Sequence, residues 1–197
     1  MSLDENKRII RLAAQKKRDD IAGRAPENVG DVLAANIFRL VTSFPVNRII
    51  SGFLPIGSEV DLQPAFRLLQ GLGLRTCLPV VIKSGEPLIF RLWQNGDKLE
   101  CGPLKTRQPR ADALEVLPDV LLVPLLAYDE TGCRMGWGGG FYDLTLAAYR
   151  AKGHRPIAVG VAYDEQQIDQ VPVGDFDVTM DWIVTEMRIL EIMKDGS

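Results

Sequence analysis

Apolar residues recur at helical spacing near the start of this chain and at strand spacing through most of the rest. Ile10, Ala13, Ala14, Lys17 and Ile21 form a modest, mostly apolar stripe. Lys7, Arg11, Gln15 and Arg18 share another face at i, i+4, i+8 and i+11. The pattern predicts a helix over 4–22 that ends near Gly23, and a second over about 30–43. Segment 48–54 is then β-rich and closed by Pro55 and Gly57. Asp61 is suited to cap a helix that runs to about Gly71, with Pro64 tolerated in its first turn. Strands are expected at 76–81 and 87–93, the second with a candidate partner near Leu99, whereas polar 111–117 gives no clear signal. Segment 119–126 is an almost continuous apolar run, the pattern of a strand buried on both faces. A glycine-rich turn leads into a helix over about 141–151, and 157–163 and 182–185 are further short apolar strands. Strands separated by helical segments imply an α/β fold. The expectation is a single domain over 1–197: a mainly parallel central sheet flanked by helices in three layers, with the basic first helix on or near the site.

Composition narrows the chemistry. With 197 residues, 46% apolar and 25% charged, the chain can bury a core without disulfide or metal staples. One histidine, His154, excludes HExxH zincins, two-histidine iron sites and Cys/His zinc fingers. Its position after Lys152-Gly153 suggests a helix end. Cys77, Cys101 and Cys133 are scattered and contain no CxxC, so a reducing compartment and buried, packed thiols are expected. Trp93 and Trp182 lie in strand-like patterns and are expected in the core. The N-terminus is charged with no apolar stretch behind it, and the longest apolar runs are too short to span a bilayer. A cytoplasmic monomer without a membrane partner is expected. A net charge of −3 argues against a general nucleic-acid binder. Residues 4–24 nevertheless hold seven basic against four acidic side chains, a local excess suited to a small anionic ligand.

The richest stretch is 124–143, PLLAYDETGCRMGWGGGFYD. Gly136, Gly138, Gly139 and Gly140 fall between a buried strand and a helix, where converging backbone N–H groups can cradle phosphate. The same glycines also fit a plain tight turn. They form neither a Walker A loop nor a dinucleotide fingerprint. Arg134, just before them, suits phosphate. Asp143 could hold Mg²⁺ against that phosphate, or simply face the helix dipole. Glu59, past a strand end, could accept hydrogen bonds from a ligand amine, or lie in solvent.

This stretch resembles the 5-formyltetrahydrofolate cyclo-ligase (5,10-methenyltetrahydrofolate synthetase) family. The motif is Pro124, Tyr128-Asp129, Gly132, then Arg134-Met135-Gly136-Trp137-Gly138-Gly139-Gly140-Phe141-Tyr142-Asp143. The similarity extends to Lys7, Arg8 and Arg11, to Leu54, Pro55, Gly57, Glu59, Val60 and Asp61, and to 170–173 with Asp181. The resemblance implies ATP contacts at Lys7, Arg8, Arg11 and from Arg134 through Met135, Gly136, Trp137, Gly138, Gly139, Gly140 and Phe141 to Tyr142. It implies folate contacts at Arg11, Leu54, Glu59, Trp137 and Tyr142, and Mg²⁺ contacts at Asp143 and Asp181. Arg134 and Tyr142 are the candidates for catalytic roles. Trp137 and Phe141 depart from residues common in the family, and an indole brings a stacking face but no charge.

The implied reaction consumes 5-formyltetrahydrofolate and ATP and forms 5,10-methenyltetrahydrofolate, ADP and phosphate, with no protein nucleophile. Two alternatives carry different chemistry: an ATP-independent phosphate-ester isomerase or CoA-transferase-like enzyme, and a non-catalytic folate- or RNA-binding relative.

Overall fold

The computed structural model describes residues 2–45, 48–103 and 106–193. Twelve strands and four α-helices follow one another along these residues. Strand β7, Val120–Pro124, lies at the centre, and its continuous apolar run is explained by two buried faces. Val120 and Leu122 join one core, while Leu121 and Val123 join the other.

The main sheet runs β12-β11-β10-β7-β1-β2-β3-β6. Its inner strands are parallel: β11 (Trp182–Val184), β10 (Ile157–Val161), β7, β1 (Ile49–Ser51) and β2 (Arg75–Val80). Antiparallel strands close both edges: β12 (Ile189–Glu191) on β11, and β3 (Ile89–Leu92) with β6 (Glu115–Val116) beyond β2. Helices α2 (Val29–Ser43) and α3 (Gln63–Gly71) cover one face, and α4 (Phe141–Ala151) covers the other. The three-layer, mainly parallel α/β architecture therefore matches the sequence expectation.

Several boundaries differ for local reasons. α1 spans Leu3–Arg24 and runs through Gly23 rather than stopping there, with the Ser2 hydroxyl accepting from Glu5 N. β1 uses only the start of 48–54, because Gly52 and the residues after it leave the sheet to build a loop. α3 begins after Leu62, yet the Asp61 carboxylate still accepts from Gln63 N at 2.9 Å, so its capping role survives. The strand near Leu99, β4 (Leu99–Cys101), pairs with β5 (Arg107–Pro109) and not with β3. Two-residue strands β8 (Ala127–Tyr128) and β9 (Arg134–Met135) form a hairpin. Buried Asp129 organises its turn, accepting from Thr131 N, Cys133 N and, across the fold, Val171 N.

The cysteine expectation holds for Cys77 alone, whose burial pushes its thiol far above the ordinary range. Cys101 is exposed and Cys133 half-buried. Trp93 is buried and Trp182 half-buried. His154 follows the α4 terminus, within 2.8 Å of the Pro118 carbonyl through Nε2. No described helix is long and apolar enough to cross a membrane.

Candidate active site

The chain leaves β1 through α3 towards β2, and leaves β7 through α4 towards β10 on the opposite side. That divergence opens a crevice at the carboxyl ends of β1 and β7, where open α/β sheets bind ligands. Two loops line it: residues 52–62 after β1, and the segment from β7 through the β8–β9 hairpin to α4. Helix α1 lies across both.

The glycine loop enters α4 directly. Gly140 is the residue before the helix and adopts φ +66°, while Gly138 adopts φ +98°. Both values lie where side chains are strained, so glycine lets the backbone turn tightly into α4. Gly138, Gly139 and Gly140 are exposed. Gly138 has a second constraint: a Cβ there would come within 3.0 Å of Arg11 Cζ. Arg11 reaches this loop from α1 and donates from Nε to the Gly136 carbonyl at 2.9 Å. One turn earlier, Lys7 pairs with Asp177. Arg8 is exposed on the same helix.

Arg134 and Asp143 bracket the loop and form an ion pair at 2.9 Å. Arg134 is almost buried there, and Asp143 Oδ1 also accepts from Val178 N at 3.0 Å. Asp143 stands in the first turn of α4, where the dipole favours a negative charge. Asp181 is not part of this group. Its Oδ2 accepts from Ala158 N at 2.7 Å, near the amino end of β10, whereas the glycine loop lies at the carboxyl edge.

A buried network forms the other wall. Glu59 lies in the interior, against the simple expectation of a solvated loop carboxylate. Its Oε1 accepts from Trp137 Nε1 at 2.8 Å and faces Arg18 Nη1 at 3.4 Å; its Oε2 accepts from Ile56 N. The Arg18 guanidinium lies 5.0 Å from the Trp137 ring centroid, a cation–π arrangement. Arg18 also donates to Ser58 Oγ at 3.0 Å. The structure thus gives the indole two partners and brings the glycine loop and Glu59 together.

Arg18 is the residue that charge periodicity misses. Counted with Lys7 and Arg11 it looks solvated, yet it is 1% exposed. A signal was available: Ala14, Arg18 and Ile21 stand at i, i+4, i+7 and form the buried stripe of α1. Tyr142 is half-exposed beside Asp143, and burial, then the nearby Glu59 charge, push its phenol well above the ordinary range. The phenol is therefore a proton donor at neutral pH and no base. Met135 is buried and Phe141 half-buried. Leu54 is half-buried and lines a separate groove towards Arg67 and Trp93.

A hydrated Mg²⁺ ion takes one or two carboxylates and fills its octahedron with water and phosphate oxygens. Among the described residues, no group of three or more His, Cys, Asp or Glu side chains could hold a metal. Asp143 next to a glycine loop fits a cation shared with phosphate. Asp181, engaged with the β10 main chain, has only the sequence motif to connect it with that role.

The fold and crevice define an α/β protein with a glycine loop at a helix N-terminus beside a buried carboxylate. Residues 4–186 match the 5-formyltetrahydrofolate cyclo-ligase family, and the chain belongs to it. The 5-formyltetrahydrofolate cyclo-ligase of Escherichia coli K12 is 36% identical over 160 residues, covering 78% of this chain and 87% of that protein. The Mycolicibacterium smegmatis protein of the same name is 29% identical over 187 residues, 91% of this chain and 93% of that one. Among solved structures, the 5,10-methenyltetrahydrofolate synthetase of Aquifex aeolicus superposes with a TM-score of 0.71 at 24% identity, over 95% of both chains. That likeness concerns the fold.

Proposed function

We propose that this chain converts 5-formyltetrahydrofolate and ATP into 5,10-methenyltetrahydrofolate, ADP and phosphate, with Mg²⁺ as the metal. One observation carries the reading: the glycine loop before α4, with Arg11 and Arg134 against it, shares a crevice with the Glu59–Trp137 pair. In this reading the glycine loop is the phosphate end of the crevice and the Glu59–Trp137 pair its heterocycle end.

The chemistry explains why the residue inventory suffices. The N5-formyl group is an amide whose oxygen leaves poorly. That oxygen attacks the γ-phosphorus of ATP, the bond to the β–γ bridging oxygen breaks, and ADP leaves. N10 then attacks the formyl carbon, closes the five-membered ring and gives up its proton, and the C–O bond breaks to release phosphate. The chain must hold two substrates in line and offset charge; such positioning is worth about 7–11 kcal/mol in favourable cases.

In this assignment the amides of 136–140 cradle phosphate, while Lys7, Arg8, Arg11 and Arg134 supply positive charge. Met135, Phe141 and the Trp137 indole shape the nucleotide end. Glu59 accepts hydrogen bonds from the pterin, with Leu54, Arg11, Trp137 and Tyr142 around the folate. The protonated Tyr142 phenol donates towards developing charge. Asp143 would hold Mg²⁺, which when bound would neutralise phosphate charge; Asp181, at the amino end of β10, enters that role only through the sequence motif.

The test is near-ultraviolet absorbance of the methenyl product, with ATP-free and EDTA controls. Product that needs both ATP and metal is expected. Asp143→Asn should lower turnover by about a hundredfold, the scale of losing one transition-state charge partner. Product without ATP, or an unchanged Asp143→Asn rate, would contradict the assignment.

A further inference from the structure

A hydrogen bond joins the two ends of the crevice: Trp137 Nε1 donates to Glu59 Oε1 at 2.8 Å, across 78 residues of chain. The Glu59 side chain is 3% exposed, and three donors already fill most of its acceptor sites. Ile56 N takes Oε2 at 2.9 Å, while the indole and Arg18 Nη1, the latter at 3.4 Å, share Oε1. Arg18 is buried and Ile56 offers a main-chain amide, so neither withdraws readily. The indole can: Trp137 is 41% exposed and stands between Gly136 and Gly138. When it leaves, Arg18 stays opposite Glu59 and no buried charge is stranded. The loop that carries the indole has room to move. Gly138, Gly139 and Gly140 are exposed, and a Cβ at Gly136 or Gly140 would meet nothing within 4 Å.

A ligand donor therefore reaches Glu59 by taking the place of the indole, and the indole moves together with the glycine loop. We propose that Trp137 is a latch that couples the two substrates: its N–H holds Glu59 Oε1 until a folate N–H displaces it, and the freed loop then closes on the nucleotide. The inference rests on the folate and ATP reading above. Latched, the loop is tied to the Glu59 wall and its glycines lie open. Unlatched, the same glycines are free to draw their amides around phosphate. Both ligands favour the unlatched arrangement, so each binds more tightly once the other has released the latch. Linkage makes the two factors equal. Trp137 is thus a positioning residue that acts through Glu59 and the loop, and its N–H takes no part in phosphoryl transfer.

The experiment labels the protein with 5-fluorotryptophan, so that its three tryptophans give three ¹⁹F resonances, and Trp137→Phe identifies that of Trp137 by its loss. The variant keeps an aromatic ring and lacks the N–H donor. 5-Formyltetrahydrofolate is added without ATP. Calorimetry then measures the affinity of a β,γ-imido ATP analogue, which does not pass on its phosphoryl group, with and without the folate. The folate should shift the Trp137 resonance of the wild type more than those of Trp93 and Trp182. The analogue should bind folate-loaded wild type about tenfold more tightly, the scale of one hydrogen bond to a charged group. In Trp137→Phe that factor should fall close to unity. The folate alone should bind the variant more tightly than the wild type, a gain that loss of a merely structural contact would not give. An unmoved Trp137 resonance at folate saturation, an undiminished factor in the variant, or weaker folate binding by it would overturn the latch. Latch behaviour without methenyl product from ATP would contradict the proposed reaction and leave the latch standing. Methenyl product with equal factors in both proteins would do the reverse, and absence of folate binding would remove both.

Discussion

Arg18 and Glu59 are the side chains on which the crevice wall opposite the glycine loop depends. Their charged groups are 1% and 3% exposed, so neither can be solvated if its partner is lost. Removing one member of such a pair typically costs about 3–5 kcal/mol, because the other charge stays buried. Arg18→Met should therefore lower unfolding free energy by about 3 kcal/mol in urea titration. Adding Glu59→Gln to that background should recover part of the loss. Additive losses in the double variant would show that the two do not act as a pair. Trp137 has a different dependence: its indole is 41% exposed and is held from behind by Glu59 and Arg18. At this scale the sequence was legible where chemistry is local. The run from Arg134 to Asp143 announces itself by residue type. Glu59 and Arg18 do not, since their partners lie 41 residues apart in the chain and only the fold joins them.

The helices and inner strands were readable because each carries a sustained period. Helix α4 keeps its expected limits, and β7 and β10 sit inside their apolar runs. The β8–β9 hairpin and β6 were not readable, since two-residue strands leave no periodicity to detect. β4 found β5 rather than β3 because β3 is already paired on both sides, by β2 and β6. The glycine loop is the element where backbone and function meet. Gly138→Ala places a Cβ 3.0 Å from the Arg11 guanidinium at φ +98°, so the loop and α1 must both shift. The left-handed region costs a non-glycine residue about 1–2 kcal/mol. The expected result is a KM for ATP raised by about tenfold, with the folate KM changed far less, in steady-state kinetics. Equal effects on both substrates would argue that the loop serves the folate end as much as the nucleotide end.

Across the whole molecule, the topological divergence at β1 and β7 sets the position of the site, and α1 ties the loops together from outside. Contacts of Lys7, Arg11, Lys17, Arg18 and Arg24 reach residues between 56 and 177. Tight packing has a measurable alkaline signature. The chain has four tyrosines, and burial pushes the phenols of Tyr128, Tyr142, Tyr149 and Tyr163 above the ordinary range, Tyr128 and Tyr149 to about 12. The neutral phenol is the favoured form in the folded state. Its contribution to stability is complete below the ordinary tyrosine pKa of about 10 and is lost as pH rises through the folded value. Tyrosinate absorbance should therefore remain low at pH 10 while the far-ultraviolet circular dichroism is native, and should rise together with unfolding. Early ionisation of all four in native protein would contradict this packing.

The central claim is that the formyl oxygen itself receives the phosphoryl group, and an oxygen label reads it directly. Substrate carrying ¹⁸O in the N5-formyl group is turned over with unlabelled ATP in unlabelled water, and the released phosphate is weighed by mass spectrometry. One ¹⁸O per phosphate, in step with methenyl product, is the predicted result. Unlabelled phosphate would mean that water, not the formyl oxygen, had attacked ATP, and would contradict the mechanism.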